Sequence, residues 1–150
     1  HPSETLERMV LRLLAYCVNM HDQLVFTKGL SSDTEPDLWQ KSYSDEIELW
    51  IELGLPDLKR IKKAASLSQK VKLYAYGGQG VDQWWKLVQK DCQRLNNVDV
   101  YRFDMNAVNQ FASLVERSMR ISVMVQDGLT TISWGDQMLE FPMEIILEQG

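Results

Sequence analysis

Between residues 33 and 72 the chain sorts its charges by sign. Asp33, Glu35, Asp37, Asp45, Glu46, Glu48, Glu52 and Asp57 are accompanied by one base, Lys41. Lys59, Arg60, Lys62, Lys63, Lys70 and Lys72 then follow with no acid from 59 to 72. Carboxylates hold a hard cation such as Mg²⁺, and a lysine or arginine beside them stabilises phosphate charge or orients an attacking water. The chemistry this pattern suits is metal-assisted cleavage of a phosphodiester. The same pattern also describes a half-solvated strand followed by a solvated basic helix, so both readings stand.

Spacing narrows the candidates. Strict alternation in Ile47–Leu53 puts Glu48, Trp50 and Glu52 on one strand face and only apolar residues on the other. Glu48 and Glu52, four residues apart, are separated by about 13 Å at Cα, too far to share one ion on a straight strand. A single-metal site therefore recruits Asp33, Glu35 or Glu4 beside Glu52, at the strand end next to Gly54 and the basic helix. Such crowding predicts a raised carboxyl pKa in the metal-free state. On the following helix Lys62 lies about 40° from Leu58 around the axis and stays near the sheet. Arg60 lies nearly opposite the apolar stripe, and Lys63 is intermediate. The expected site has Glu52, Glu48 and Lys62 as catalytic residues, and Glu52, Glu48, Asp33, Glu35 and Glu4 as Mg²⁺ ligands. Lys62, Lys63 and Arg60 are the expected phosphate contacts.

The elements that would position these groups follow from periodicity. Leu6, Met9, Val10, Leu13, Leu14, Cys17 and Val18 recur at helical spacing behind a Ser3 cap. Gln23–Thr27 is strand-like, 29–36 a loop, 37–42 extended and Tyr43–Glu46 a turn. Ile47–Leu53 is the strand just described. Asp57 caps a helix to about Ser68 that buries Leu58, Ile61 and Ala65. Lys70–Tyr76 is a strand, 77–80 a glycine-rich joint and Val81–Leu95 a helix. A strand over Val98–Phe103 and a short helix capped by Asp104 come next. Ser118–Gln126 and Thr130–Trp134 flank Asp127-Gly128, the signature of a two-residue hairpin turn with both φ angles positive. This order predicts one α/β domain, a mixed central sheet flanked by helices, with a C-terminal β-hairpin.

Composition bounds the rest. With 150 residues, 45% of them hydrophobic, the chain can bury a core. No apolar run approaches the roughly 18 residues of a membrane span, so no membrane partner is expected. Cys17 and Cys92 are far apart and lack a CxxC partner, which fits buried thiols in a reducing cytoplasm. His21, beside Asp22 at a helix end, suits electrostatics there. Gly77–Gly80 precedes a helix, where phosphate loops sit, but lacks the P-loop lysine. Trp84 and Trp85 point about 100° apart, one into the core and one to the surface.

Several contiguous words carry a family likeness: His1-Pro2-Ser3-Glu4-Thr5-Leu6-Glu7-Arg8-Met9, Glu35-Pro36, and Trp50-Ile51-Glu52-Leu53-Gly54-Leu55-Pro56-Asp57 with Arg60-Ile61-Lys62-Lys63-Ala64. Trp84-Trp85 and Gln126-Asp127-Gly128 agree. Over nearly its whole length the chain resembles the bacterial YaeQ family. The resemblance implies a fold of the PD-(D/E)XK nuclease-like superfamily, preceded in that family by an N-terminal strand segment that this chain lacks. It also implies a superfamily pattern with a lysine two residues after an acid. That position is Trp50 if the acid is Glu48, and Gly54 if it is Glu52; Lys62 on the adjoining helix is the substitute. Two functions follow. One is a Mg²⁺-dependent nuclease acting on DNA or RNA. The other is a non-catalytic protein, binding nucleic acid or the transcription machinery, that kept the fold and lost the chemistry.

Overall fold

The computed structural model describes residues 5–28, 34–115 and 119–150. It contains two compact units, one of His1–Met20 with Phe103–Glu144 and one of His21–Arg102 with Ile145–Gly150. The second carries the charge-sorted segment.

That unit is built on a six-stranded sheet. Strand β2 (Leu38–Lys41) runs antiparallel to both of its neighbours, β1 (Leu24–Phe26) and β3 (Ile47–Gly54). β4 (Ser68–Ala75) and β5 (Val98–Phe103) continue the sheet parallel to β3. The order is β1-β2-β3-β4-β5-β9, with β9 being Met143–Leu147. Parallel neighbours need long crossovers, and helices α2 (Leu58–Leu67) and α3 (Gly80–Leu95) supply them. The mixed sheet flanked by helices is as expected from the alternation of periods.

Each helix starts where its sequence permits. Asp57 caps α2 by accepting a hydrogen bond from Arg60 N at 2.9 Å. α3 begins behind a strained joint whose Gly77 sits at φ +154°. A Cβ there would lie 2.7 Å from Leu55 Cδ1, so the joint packs closely on the side chain of the β3–α2 connection. Trp84 ties the same connection down, its indole N–H donating to Pro56 O at 2.7 Å. Beneath α2 and α3 the core joins Trp50, Ile61, Val71, Trp84, Val88 and Val100.

In the other unit, α1 (Leu6–Val18) packs on α4 (Met105–Leu114). The cap of α1 is Thr5, which accepts from Arg8 N at 3.1 Å; Ser3 lies outside the described residues. Asp104 caps α4 as expected. Strands β6 (Ser122–Gln126), β7 (Leu129–Trp134) and β8 (Gln137–Phe141) form an antiparallel sheet in that order. The β6–β7 turn has Asp127 at φ +53° and Gly128 at +80°. The expected hairpin is thus extended by a third strand, turned at Gly135 with φ +54°. No helix among the described residues is long and apolar enough to cross a membrane.

Candidate functional site

β3 is central, and burial on both faces is what an interior strand of such a sheet requires. Trp50, Ile51, Glu52 and Leu53 are all buried. A half-solvated strand is therefore the wrong description of 50–53. Glu52 lies among the core residues beneath α2 rather than against bulk water.

A carboxylate in that position must find donors. Oε1 of Glu52 accepts from the Trp50 indole N–H at 3.0 Å, two residues back on the same strand face. Oε2 accepts from Arg60 Nε. Arg60 also donates through Nη2 to the Glu35 carbonyl oxygen at 2.8 Å, bracing the segment before β2. Burial pushes the Glu52 carboxyl pKa up. The hydrogen bonds from Arg60 and Trp50, then the Arg60 charge, pull it back, and the nearby Asp37 charge adds to the rise. The raised carboxyl expected from crowding is present, with desolvation as its main cause.

Asp37 is the acid that spacing did not single out. It is 4% exposed and immediately precedes β2: Leu38 pairs with Ile51, so one step further places Asp37 opposite Glu52. Its Oδ2 accepts from Leu53 N at 2.8 Å, and its own N donates to Ile51 O at 3.0 Å. The available signal was an acid directly after Pro36 at the mouth of an extended segment. Antiparallel register with β3, which brings it to Glu52, is not readable from either segment alone.

Arg60, not Lys62, is the base that reaches the sheet. Helical side chains lean toward the N-terminus, and the N-terminus of α2 lies one short connection from the end of β3. Arg60, in the first turn, curls back over that connection to Glu52. Angle around the axis favoured Lys62; position along the axis decides for Arg60. Lys62 and Lys63 are exposed, as is Lys59.

Glu48 is drawn elsewhere. It is half-buried, accepts from Gln40 Nε2 at 3.1 Å, and borders a separate pocket near Lys70 and Asp99. Glu35 contributes its carbonyl oxygen to Arg60. Asp33 and Glu4 lie outside the described residues. Among the described residues no three histidine, cysteine, aspartate or glutamate side chains cluster closely enough to hold a metal. What the structure brings together is Asp37, Glu52, Trp50 and Arg60.

The family model described as YaeQ protein matches residues 1–143. The chain belongs to the YaeQ family. It is 40% identical over 143 residues to the uncharacterized protein YaeQ of Salmonella typhi, covering 95% of this chain and 79% of that one. The YaeQ protein of Escherichia coli K12 is 40% identical over 133 residues, 89% of this chain and 74% of that one. Among solved structures, the YaeQ protein from Xanthomonas axonopodis pv. citri superposes with a TM-score of 0.91 at 37% identity, covering 98% and 83% of the two chains. The YaeQ protein from Pseudomonas syringae gives 0.91 at 32%, covering 99% and 82%. The mixed α/β architecture is that of these relatives.

Proposed function

We propose that this chain is a non-catalytic, cytoplasmic nucleic-acid-binding protein on a degenerate PD-(D/E)XK nuclease-like fold. The observation that carries the reading is where the charges of residues 52–63 end up. Glu52 is buried with both oxygens engaged, whereas Lys59, Lys62 and Lys63 are exposed along α2. A buried acid already holding an arginine is costly to hand over to a cation. Exposed lysines on one helix are suited to contact phosphates, which supply sequence-independent affinity.

The test is binding of labelled single- and double-stranded oligonucleotides at increasing salt. Three phosphate contacts on a duplex give a log–log slope of roughly −2.7, and Lys59→Ala/Lys62→Ala/Lys63→Ala should abolish it. Binding that is insensitive to those lysines sinks this reading. Capture of an acidic component of the transcription machinery by the same lysines, with no affinity for oligonucleotides, would move the partner to protein.

One observation favours the second reading, a Mg²⁺-dependent nuclease. Asp37, just before β2, and Glu52 on β3 are neighbouring acids with Arg60 on the next helix, the combination of carboxylates and cation that such chemistry uses. In that case Asp37 and Glu52 would hold the ion, Arg60 would swing to the phosphate, and Mg²⁺ would neutralise developing charge.

A further inference from the structure

The exposed sides of α2 and α3 belong to one surface. β3, β4 and β5 are parallel neighbours, and crossovers between parallel strands are right-handed, so both helices lie on the same sheet face. They share one core, with Ile61 and Ala64 of α2 beside Val81 and Val88 of α3, and the two helices touch. Each runs back from the end of its strand, so they are roughly parallel, with axes about 8–10 Å apart. Their starts are nearly level, because Gly54 pairs with Ala75 and each helix begins a few residues later.

What each helix turns away from the sheet is basic. Lys59, Lys62 and Lys63 are exposed on α2, which has no acid between Leu58 and Leu67. On α3, Lys86, Lys90 and Arg94 are exposed and fall within about 80° of one another, opposite the buried Val81, Val88 and Cys92. At about 1.5 Å per residue the α3 row starts where the α2 row ends, so the six bases form a diagonal track roughly 20 Å long. The acids alongside are held or turned aside. Asp57 caps α2, Asp82 pairs with Arg102 at 3.5 Å, and Asp91 is half-buried. Leu67 and Leu87 are the only large apolar side chains exposed on either helix, too little for an apolar protein interface.

We propose that this two-helix track holds double-stranded nucleic acid by its phosphates, α3 adding three contacts to the three of α2. The proposal rests on the nucleic-acid reading above and names its substrate class. Single strands are gripped by aromatic rings on which bases stack. Neither helix exposes one, since Trp84 is buried and Trp85 is half-buried against it. A duplex needs no such platform. It carries one charge per about 1.7 Å of axis, so the track faces more phosphates than it has bases. Two basic rows at that spacing, on long side chains, reach phosphates on both edges of a major groove about 12 Å wide. No base edge is read, so the binding is independent of sequence.

The experiment is titration of a DNA duplex, an RNA duplex of equal length and the separated DNA strands with the full chain at increasing salt. Six contacts predict a log–log slope of roughly −5.4 on the DNA duplex, half of it from each helix. Lys86→Ala/Lys90→Ala/Arg94→Ala should reduce it to roughly −2.7, while Lys86→Arg/Lys90→Arg, which keeps both charges, should leave it in place. One or both duplexes should bind about tenfold more tightly than the single strands, and the tighter one names the polymer. A slope near −2.7 in the unaltered chain, unmoved by the α3 substitutions, overturns the two-helix track and leaves the α2 reading standing. Single strands bound as tightly as duplexes overturn the substrate class. No affinity for any oligonucleotide sinks both readings. Polyglutamate that competes as well as duplex at equal charge assigns the surface to an acidic protein instead.

Discussion

The two places where this sheet unit buries acids differ in how completely they are closed. At the end of β3, Glu52 has a donor on each oxygen and is walled in by Trp50 and Arg60. At the β4–β5 face, buried Asp99 and exposed Glu148 flank the Tyr101 hydroxyl, which donates to Glu148, beside an open pocket lined by Lys70 and Lys72. The first arrangement spends its cation inside the fold. The second places Lys70 and Lys72 along an open pocket. Proximity of acids and bases is common to both; whether open space adjoins the pair is what separates them.

The largest expected effect is on the closed side. Trp50 is 1% exposed, fills the core and donates to Glu52. Trp50→Ala should cost about 3–5 kcal/mol in chemical denaturation, from lost burial and an orphaned carboxylate oxygen. Arg60→Met should cost about 2 kcal/mol, less than a fully buried pair because the guanidinium is partly solvated. By contrast Tyr101→Phe, beside the open pocket, should cost about 1 kcal/mol, the loss of one hydrogen bond from a buried ring to an exposed carboxylate. A larger loss for Tyr101→Phe than for Arg60→Met would erase the distinction between the two sites.

Much of this architecture was legible before the structure. The caps Asp57 and Asp104, the alternation in β3 and the Asp127-Gly128 turn are local signals, and each element forms where its residues specify. The site was legible only in part. Glu52 stood out by spacing, but Asp37 becomes its neighbour through β2–β3 register, which neither segment encodes alone. Lys62 was favoured over Arg60 because a helical wheel discards height along the axis. The Tyr101 cluster was invisible for a related reason: Lys72, Asp99 and Glu148 come from three separate segments and meet only in the folded sheet. β8 was missed because its pattern is weak, with exposed Met138 where an apolar stripe would have marked a strand.

A subtler contrast concerns pH. Burial raises the Glu52 carboxyl pKa from about 4.5, so the folded chain holds that proton more tightly than the unfolded one. Stability contributed by this group should therefore fall as pH rises through the window from about 4.5 to its raised folded value. Denaturation midpoints measured across that window should show this downward component in the unaltered chain and lose it in Glu52→Gln. An upward component that disappears in the variant would mean that Arg60 overcomes desolvation. The smallest effect is expected on the surface: Lys62→Ala and Lys63→Ala should each shift stability by less than about 0.5 kcal/mol. A greater shift would mean that those lysines belong to the fold rather than to a partner.

Whether Glu52 is committed to Arg60 and Trp50, or is available to a cation, is tested most directly by incubating the chain with single- and double-stranded DNA and RNA in Mg²⁺ or Mn²⁺. Strand integrity and metal-binding heat would be measured on the same preparation, beside Glu52→Gln and Asp37→Asn. A closed Glu52 predicts binding without cleavage, no metal heat above that of either variant, and identical products from all three proteins. Metal-dependent cleavage that vanishes in both variants would contradict this and make the Asp37–Glu52 pair a working nuclease centre.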